Sequence, residues 1–190
     1  MRLKDENKKK AICNAAIELI TSEGFANTSI SKIAKKANVS AATIYIYFEN
    51  KEDLLNKLYL WIKQESSISF LKGFHEDLPV PEGIKILWFN IYHTIIAEPV
   101  KFAFGEQFAN SPLVNRVSKT EGSKYYQPIY NLLKRGVDQR IIKDVPLEIL
   151  SAYIFAPIMF LTKRQLSGEI MINEAILQET FGLTWDAITV

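Results

Sequence analysis

One cysteine, two histidines and eight glycines are spread over 190 residues, and each scarcity removes a class of function. Cys13 has no partner for an internal disulfide, which points to a reducing compartment. His75, His93 and Cys13 are too few and too scattered for a metal site of zinc-type spacing. The glycines form neither a phosphate-cradling loop nor a Gly-x-Ser-x-Gly elbow, so nucleotide and hydrolase chemistry lack their usual scaffolds. Long apolar runs are missing too. The longest, residues 149–161, contains Pro157 and falls short of the ~20 residues that span a bilayer. Near the start, Asn14 and Glu18 interrupt the apolar stretch that follows the basic residues, so no secretory leader is expected. Alternating strand patterns, Asn-Gly turns and internal repeats are also lacking. What remains is expected to be a cytoplasmic, all-α protein without catalytic activity, metal or cofactor.

Net charge is only +2, so overall basicity does not announce a nucleic-acid partner. Its distribution is more informative. Up to Lys51 there are nine Lys/Arg against five Asp/Glu, and beyond it fourteen against sixteen. Arg2, Lys4, Lys8, Lys9 and Lys10 make a basic N-terminal arm able to lie along a phosphate backbone. A solubilising tail is the alternative, because Asp5 and Glu6 interrupt the run.

Residues 25–55, FANTSISKIAKKANVSAATIYIYFENKEDLL, read as a short helix, a tight turn, a second short helix and a capped third. Ser29 is placed to cap the first, where Ile30, Ile33, Ala34 and Ala37 recur on one face. Asn38 tolerates the left-handed conformation that leaves a helix, and Val39 follows it inward. Ser40 caps the next helix, with Ala41, Ala42, Thr43, Tyr45 and Ile46 outward and Ile44 and Phe48 inward. Small residues on the outer turn let a backbone approach base edges, and Thr43, Tyr45 and Tyr47 offer hydroxyls to phosphates. Asn50 caps the third helix, Glu52 and Asp53 suit its positive end, and Lys51 stands ready for a phosphate. This is the layout of a helix-turn-helix, whose second helix enters the major groove. The plainer alternatives are a compact helical hairpin with its tyrosines as half-buried packing, and a helical interaction module that binds only protein through this face.

The run AAIELITSEGFANTSISKIAKKANVS followed by TIYIYFENKEDLL resembles the DNA-binding domain of the tetracycline-repressor (TetR) family of bacterial regulators. The resemblance rests on Gly24-Phe25, Val39-Ser40, Thr43-Ile44-Tyr45 and the spaced set Phe48, Lys51, Glu52 and Leu54. Lys32 departs from it where an acidic capping residue is common, Ala42 where glycine is common, and Ser31 where a longer polar residue is common. It implies operator contacts from Ser29, Ser31, Ser40, Ala41, Ala42, Thr43, Tyr45, Ile46, Tyr47 and Lys51. It also implies a DNA-binding domain over 1–50 and a ligand-binding and dimerisation domain over 51–190.

The rest of the chain reads as helices over 51–72, 82–97, 99–110, 121–138, 147–167 and 172–187, with Pro128 kinking one of them or starting it late. Its aromatic residues are most simply core. By resemblance they would enclose a small hydrophobic or aromatic inducer, lined by Trp61, Phe74, Trp88, Tyr92, Phe104, Phe108, Tyr126 and Tyr130. His93, Gln107 and Glu106 are the nearby polar candidates. The stretch 147–167 is apolar nearly all round and must be covered on every side. By resemblance a second copy covers part of it, through Leu150, Ile154, Ile158, Leu161, Ile176, Leu177, Thr180, Phe181 and Trp185. Such a dimer would hold two reading helices on a near-palindromic operator until the inducer shifts them.

Overall fold

The computed structural model describes residues 5–190, with the backbone alone at Val117. The described residues contain ten helices: α1 Glu6–Asn27, α2 Ile30–Lys36, α3 Ala41–Tyr47, α4 Lys51–Phe70, α5 Val80–Ala97, α6 Pro99–Ala109, α7 Arg116–Lys124, α8 Gln127–Asp138, α9 Leu147–Leu166 and α10 Glu174–Ile188. An isolated bridge between Ile142 and Thr189 is the one extended pairing among them. The all-α expectation holds.

Most helix limits fall within two residues of the periodicity and its punctuation. The stretch expected as one helix over 121–138 is two. Pro128 sits in the first turn of α8, where its missing N–H is not needed. Ahead of it, α7 has only Val117 as an apolar side chain, too little to show a periodic face. Its start is marked instead by Asn115, whose Oδ1 accepts from Ser118 N at 2.7 Å.

The chain forms two compact units that do not follow a single cut at residue 50. The first contains the described residues up to Gln64 together with Val100–Gly122; the second contains Glu65–Pro99 and Ser123–Val190. Within the first, Ile12, Ala16 and Ile20 lie at four-residue steps on one face of α1 and are fully buried. They share a core with Ile33 of α2, Ile44 of α3, Leu54, Leu55 and Leu58 of α4, and Phe104 and Phe108 of α6. Each fully buried side chain of this size stabilises by about 1.5–3 kcal/mol relative to exposure. Asn56 fastens the segment after α6: its Nδ2 donates to Leu113 O at 3.2 Å and its Oδ1 accepts from Asn115 N at 3.1 Å. Both partners are backbone groups, so this buried amide leaves no orphan in the core.

In the second unit Ile84, Leu87, Trp88, Ile91 and Ile95 form the buried stripe of α5. They share that core with Leu132 and Leu133 of α8, Leu150, Ile154 and Ile158 of α9, and Leu177 and Ile188 of α10. Trp88 Nε1 donates to Ile154 O at 3.1 Å, so the largest side chain there carries no unsatisfied donor. Gly136 permits a close approach: a Cβ on it would lie 2.4 Å from Ile142 Cδ1.

Candidate nucleic-acid interface

The geometry between residues 24 and 53 is set by local hydrogen bonds that the residue types dictate. Gly24 has φ 82, which breaks the regular course of α1, and Thr28 Oγ1 donates back to Gly24 O at 2.9 Å. Ser29 Oγ accepts from Lys32 N at 3.2 Å and starts α2. Lys32, unusual at a capping position, instead places its ammonium 2.6 Å from Glu23 of α1. Lys36 does the same with Glu18 at 2.8 Å, so the outer face of α2 is tied to α1. Asn38 takes φ 54 and lets Val39 N donate to Ala34 O at 3.0 Å, closing the turn. Ser40 Oγ then accepts from Thr43 N at 3.1 Å and lies 2.9 Å from Thr43 Oγ1. Asn50 Oδ1 accepts from Asp53 N at 2.8 Å and caps α4. The Asp53 carboxyl is raised by burial, but hydrogen bonds from Lys57 and the Glu49 amide outweigh this and hold it below its ordinary range.

Every cap expected from the sequence is made, and the result is a ridge on α3. Ile44 and Phe48 are buried beneath it, while Tyr45 and Ile46 are 55% and 44% exposed. Ser40 and Ala42 are exposed and Ala41 and Thr43 half-buried along the same helix. Nothing taller than a methyl or hydroxyl group stands on its first turn. That profile suits the close approach of a groove floor.

Two of the expected contacts sit differently. Tyr47 is buried, and its hydroxyl accepts from Asp5 N and donates to Asp5 O, each at 3.0 Å. Lys51 donates to Phe25 O at 2.6 Å, so it caps the end of the α1 segment rather than reaching outward. Ser29 and Ser31 are exposed, the first with its hydroxyl already used as a cap. Lys35 was not singled out by the sequence pattern. It is exposed in the last turn of α2 and makes no ion pair among the described residues, a signal visible only once Lys32 and Lys36 are seen paired. Of the N-terminal basic residues, Arg2 and Lys4 lie outside the described residues. Lys8, Lys9 and Lys10 belong to α1, with Lys8 3.7 Å from Asp5 and Lys9 3.8 Å from Glu6.

The residues expected to line a ligand cavity divide between the units. Phe104 and Phe108 are fully buried in the first, stacked 5.7 Å apart and flanked by Phe25, with Trp61 packed at the edge of that core. They belong to the core of that unit. Gln107 and Glu106 are exposed. In the second unit Trp88 and Tyr92 are buried, Phe74 and Tyr126 half-buried, and Tyr130 and His93 exposed. Tyr92 donates its hydroxyl to Gln165 Oε1 at 2.8 Å. Lys63 and Tyr59 of α4 also have shifted titrations. Burial lowers the Lys63 ammonium against an opposing pull from Glu106, and burial raises the Tyr59 phenol with Glu106 adding to it. No group of three or more His, Cys, Asp or Glu among the described residues is arranged to hold a metal.

Four of the residues expected at a subunit contact are buried within their own unit. Leu150, Ile154, Ile158 and Leu177 face the interior of their own unit and are 0–3% exposed, so they have no surface to offer. The outward stripe of α9 is Ile149, Tyr153 and Phe160, at 48%, 58% and 60%, and that of α10 is Ile176 and Leu183. Leu161, Thr180, Phe181 and Trp185 are half-buried. No helix among the described residues is long and apolar enough to cross a membrane.

Residues 12–58 match the model for bacterial regulatory proteins of the tetR family, and residues 79–189 match a tetracyclin repressor-like C-terminal domain. A solved TetR family transcription regulator from Marinobacter aquaeolei VT8 superposes with a TM-score of 0.92 at 28% identity, over 100% of this chain and 99% of that one. An HTH-type transcriptional regulator of Haemophilus influenzae is 30% identical over 63% of this chain and 64% of its own length. A fatty acid metabolism regulator protein of Bacillus subtilis is 41% identical over 37% of this chain and 34% of its own. The matched stretch thus spans less than two thirds of each of these two relatives.

Proposed function

The chain belongs to the TetR family of bacterial transcriptional regulators, and from that membership we propose that it is a ligand-released repressor acting as a homodimer in the cytoplasm. The observation that carries the reading is the low, exposed ridge of α3, bare of long side chains on its first turn and flanked by Tyr45 and Ile46. In a twofold dimer two such ridges about 34–36 Å apart meet successive major grooves, which calls for a near-palindromic operator. Ser40, Ala41, Ala42 and Thr43 face base edges, while Tyr45 and Lys35 face phosphates. A protein-docking hairpin has no comparable need for a bare first turn, and family membership does not favour it.

The outward apolar stripes of α9 and α10 supply the subunit contact. Ile149, Tyr153, Phe160, Ile176 and Leu183 would otherwise leave exposed apolar side chains on both helices in water. Phe160→Glu is expected to turn a dimer into a monomer in sedimentation velocity; a dimer that persists contradicts this interface.

The inducer is a small apolar or aromatic molecule held by the second unit, with Phe74, Trp88, Tyr92 and Tyr126 as the side chains to test. It lowers operator affinity only if it binds the non-reading arrangement more tightly than the reading one. Helix α4 contributes residues to both compact units and is the element able to carry that bias. A gel-shift against the DNA upstream of its own coding sequence, repeated with a panel that starts with long-chain fatty acids, tests the whole reading. A sequence-specific shift released by a panel member supports it. The absence of any specific shift refutes it.

A further inference from the structure

Tyr47 was expected at the DNA surface, yet its hydroxyl is used twice inside the protein, accepting from Asp5 N and donating to Asp5 O at 3.0 Å each. The side chain of Asp5 is itself occupied, its Oδ1 accepting from Asn7 N at 3.0 Å and Lys8 N at 3.4 Å to cap α1. A single side chain therefore joins the last residue of α3 to the capped first turn of α1, across 42 residues of sequence. Helix α3 has only seven residues, far fewer than a helix needs to hold itself in water, so its pose is set by what grips it. The Ser40 cap and the buried Ile44 grip its first turns, and Tyr47 with Phe48 grips its end. The exposed Tyr45 and Ile46 lie immediately before that grip.

We propose that Tyr47 is a positioning residue for operator recognition, acting through the backbone of Asp5 to fix the orientation of α3 without touching DNA. The inference rests on the DNA-reading assignment made above. Its physical basis is that base-edge contacts need close alignment, whereas attraction to phosphates tolerates small rotations of a basic surface. Loss of the hydroxyl keeps the ring packed against Phe48, whose centroid is 6.3 Å away, but frees the end of α3 to rotate.

The test uses the full-length protein with Tyr47→Phe, Asp5→Ala and the double variant, each at a temperature well below its own melting point. Each is titrated at fixed salt against an operator duplex selected from random sequence and against an unrelated duplex of equal length. The expected result is an operator affinity lower by about five- to tenfold, with affinity for the unrelated duplex within about twofold of the starting protein. Asp5→Ala keeps the backbone groups that Tyr47 grips but removes the cap that holds them in place, so the double variant is expected to lose no more than the single variant with the larger loss. Equal losses on both duplexes that multiply in the double variant would mean a direct phosphate contact and overturn the proposal. A lowered melting point with operator affinity unchanged would overturn it too, leaving Tyr47 a purely structural residue. If the starting protein prefers no duplex at all, the DNA-reading assignment itself fails and the latch falls with it.

Discussion

Phe104→Ala removes the ring on which the first compact unit is built. Phe104 is 0% exposed, stacks on Phe108 at 5.7 Å and meets Phe25 edge-on at 6.1 Å. Truncating a buried phenylalanine costs about 3–5 kcal/mol, and the upper part of that range applies where the walls cannot collapse. Here the walls are other aromatic rings on α1 and α6, held by Asn56 and by the Lys51 bond to Phe25 O. We therefore expect a loss of about 4 kcal/mol, close to three powers of ten in an opening equilibrium. Native-state hydrogen exchange followed by mass spectrometry reads this directly. Amides of α1 around residues 12–20 and of α4 around residues 54–62 should exchange faster by nearly the same factor as those of α6. If only α6 accelerates while α1 keeps its protection, then Val100–Gly122 is not part of the DNA-reading unit, and the division described above is wrong.

Ser40→Ala removes the cap of α3 and should lower stability by about 1 kcal/mol, read as a reduced midpoint in urea; no change would mean the Thr43 hydroxyl replaces it. Cys13 is buried, and its thiol is pushed up to about 11, so alkylating reagents should leave it unmodified at pH 8 unless denaturant is added. Because the unfolded thiol ionises first, this group contributes stability that is complete below pH 9. That contribution falls by about 1.4 kcal/mol per pH unit between roughly 9 and 11. A Cys13→Ala protein should lose that part of the alkaline decline, and an unchanged pH profile would contradict the burial argument.

The parts of the fold that the sequence disclosed are those held by near neighbours. Ser29, Ser40 and Asn50 cap within three residues of themselves, and Asn38 takes its positive φ because its own side chain tolerates it. Residue type and position suffice for such features. Tyr47 and Lys51 were misplaced because their partners, Asp5 and Phe25, lie 42 and 26 residues away, and nothing local reports them. The same reason hides the packing of Phe104 and Phe108 with α1: an apolar stripe announces burial but not the surface that buries it. In α9 the pattern failed differently. A helix apolar all round has no phase from which to tell Leu150, Ile154 and Ile158, which face inward, from Ile149, Tyr153 and Phe160, which face out.

In the function proposed here, the ridge of α3 reads DNA sequence from a twofold dimer. Its most direct test is selection of bound duplexes from a random pool, followed by footprinting of the enriched site with the unaltered protein and with Tyr45→Ala. The expected outcome is an enriched near-palindrome protected on two half-sites about one helical turn apart, with protection weakened at least tenfold by the substitution. A pool that stays random after selection, or protection indifferent to Tyr45, would contradict it.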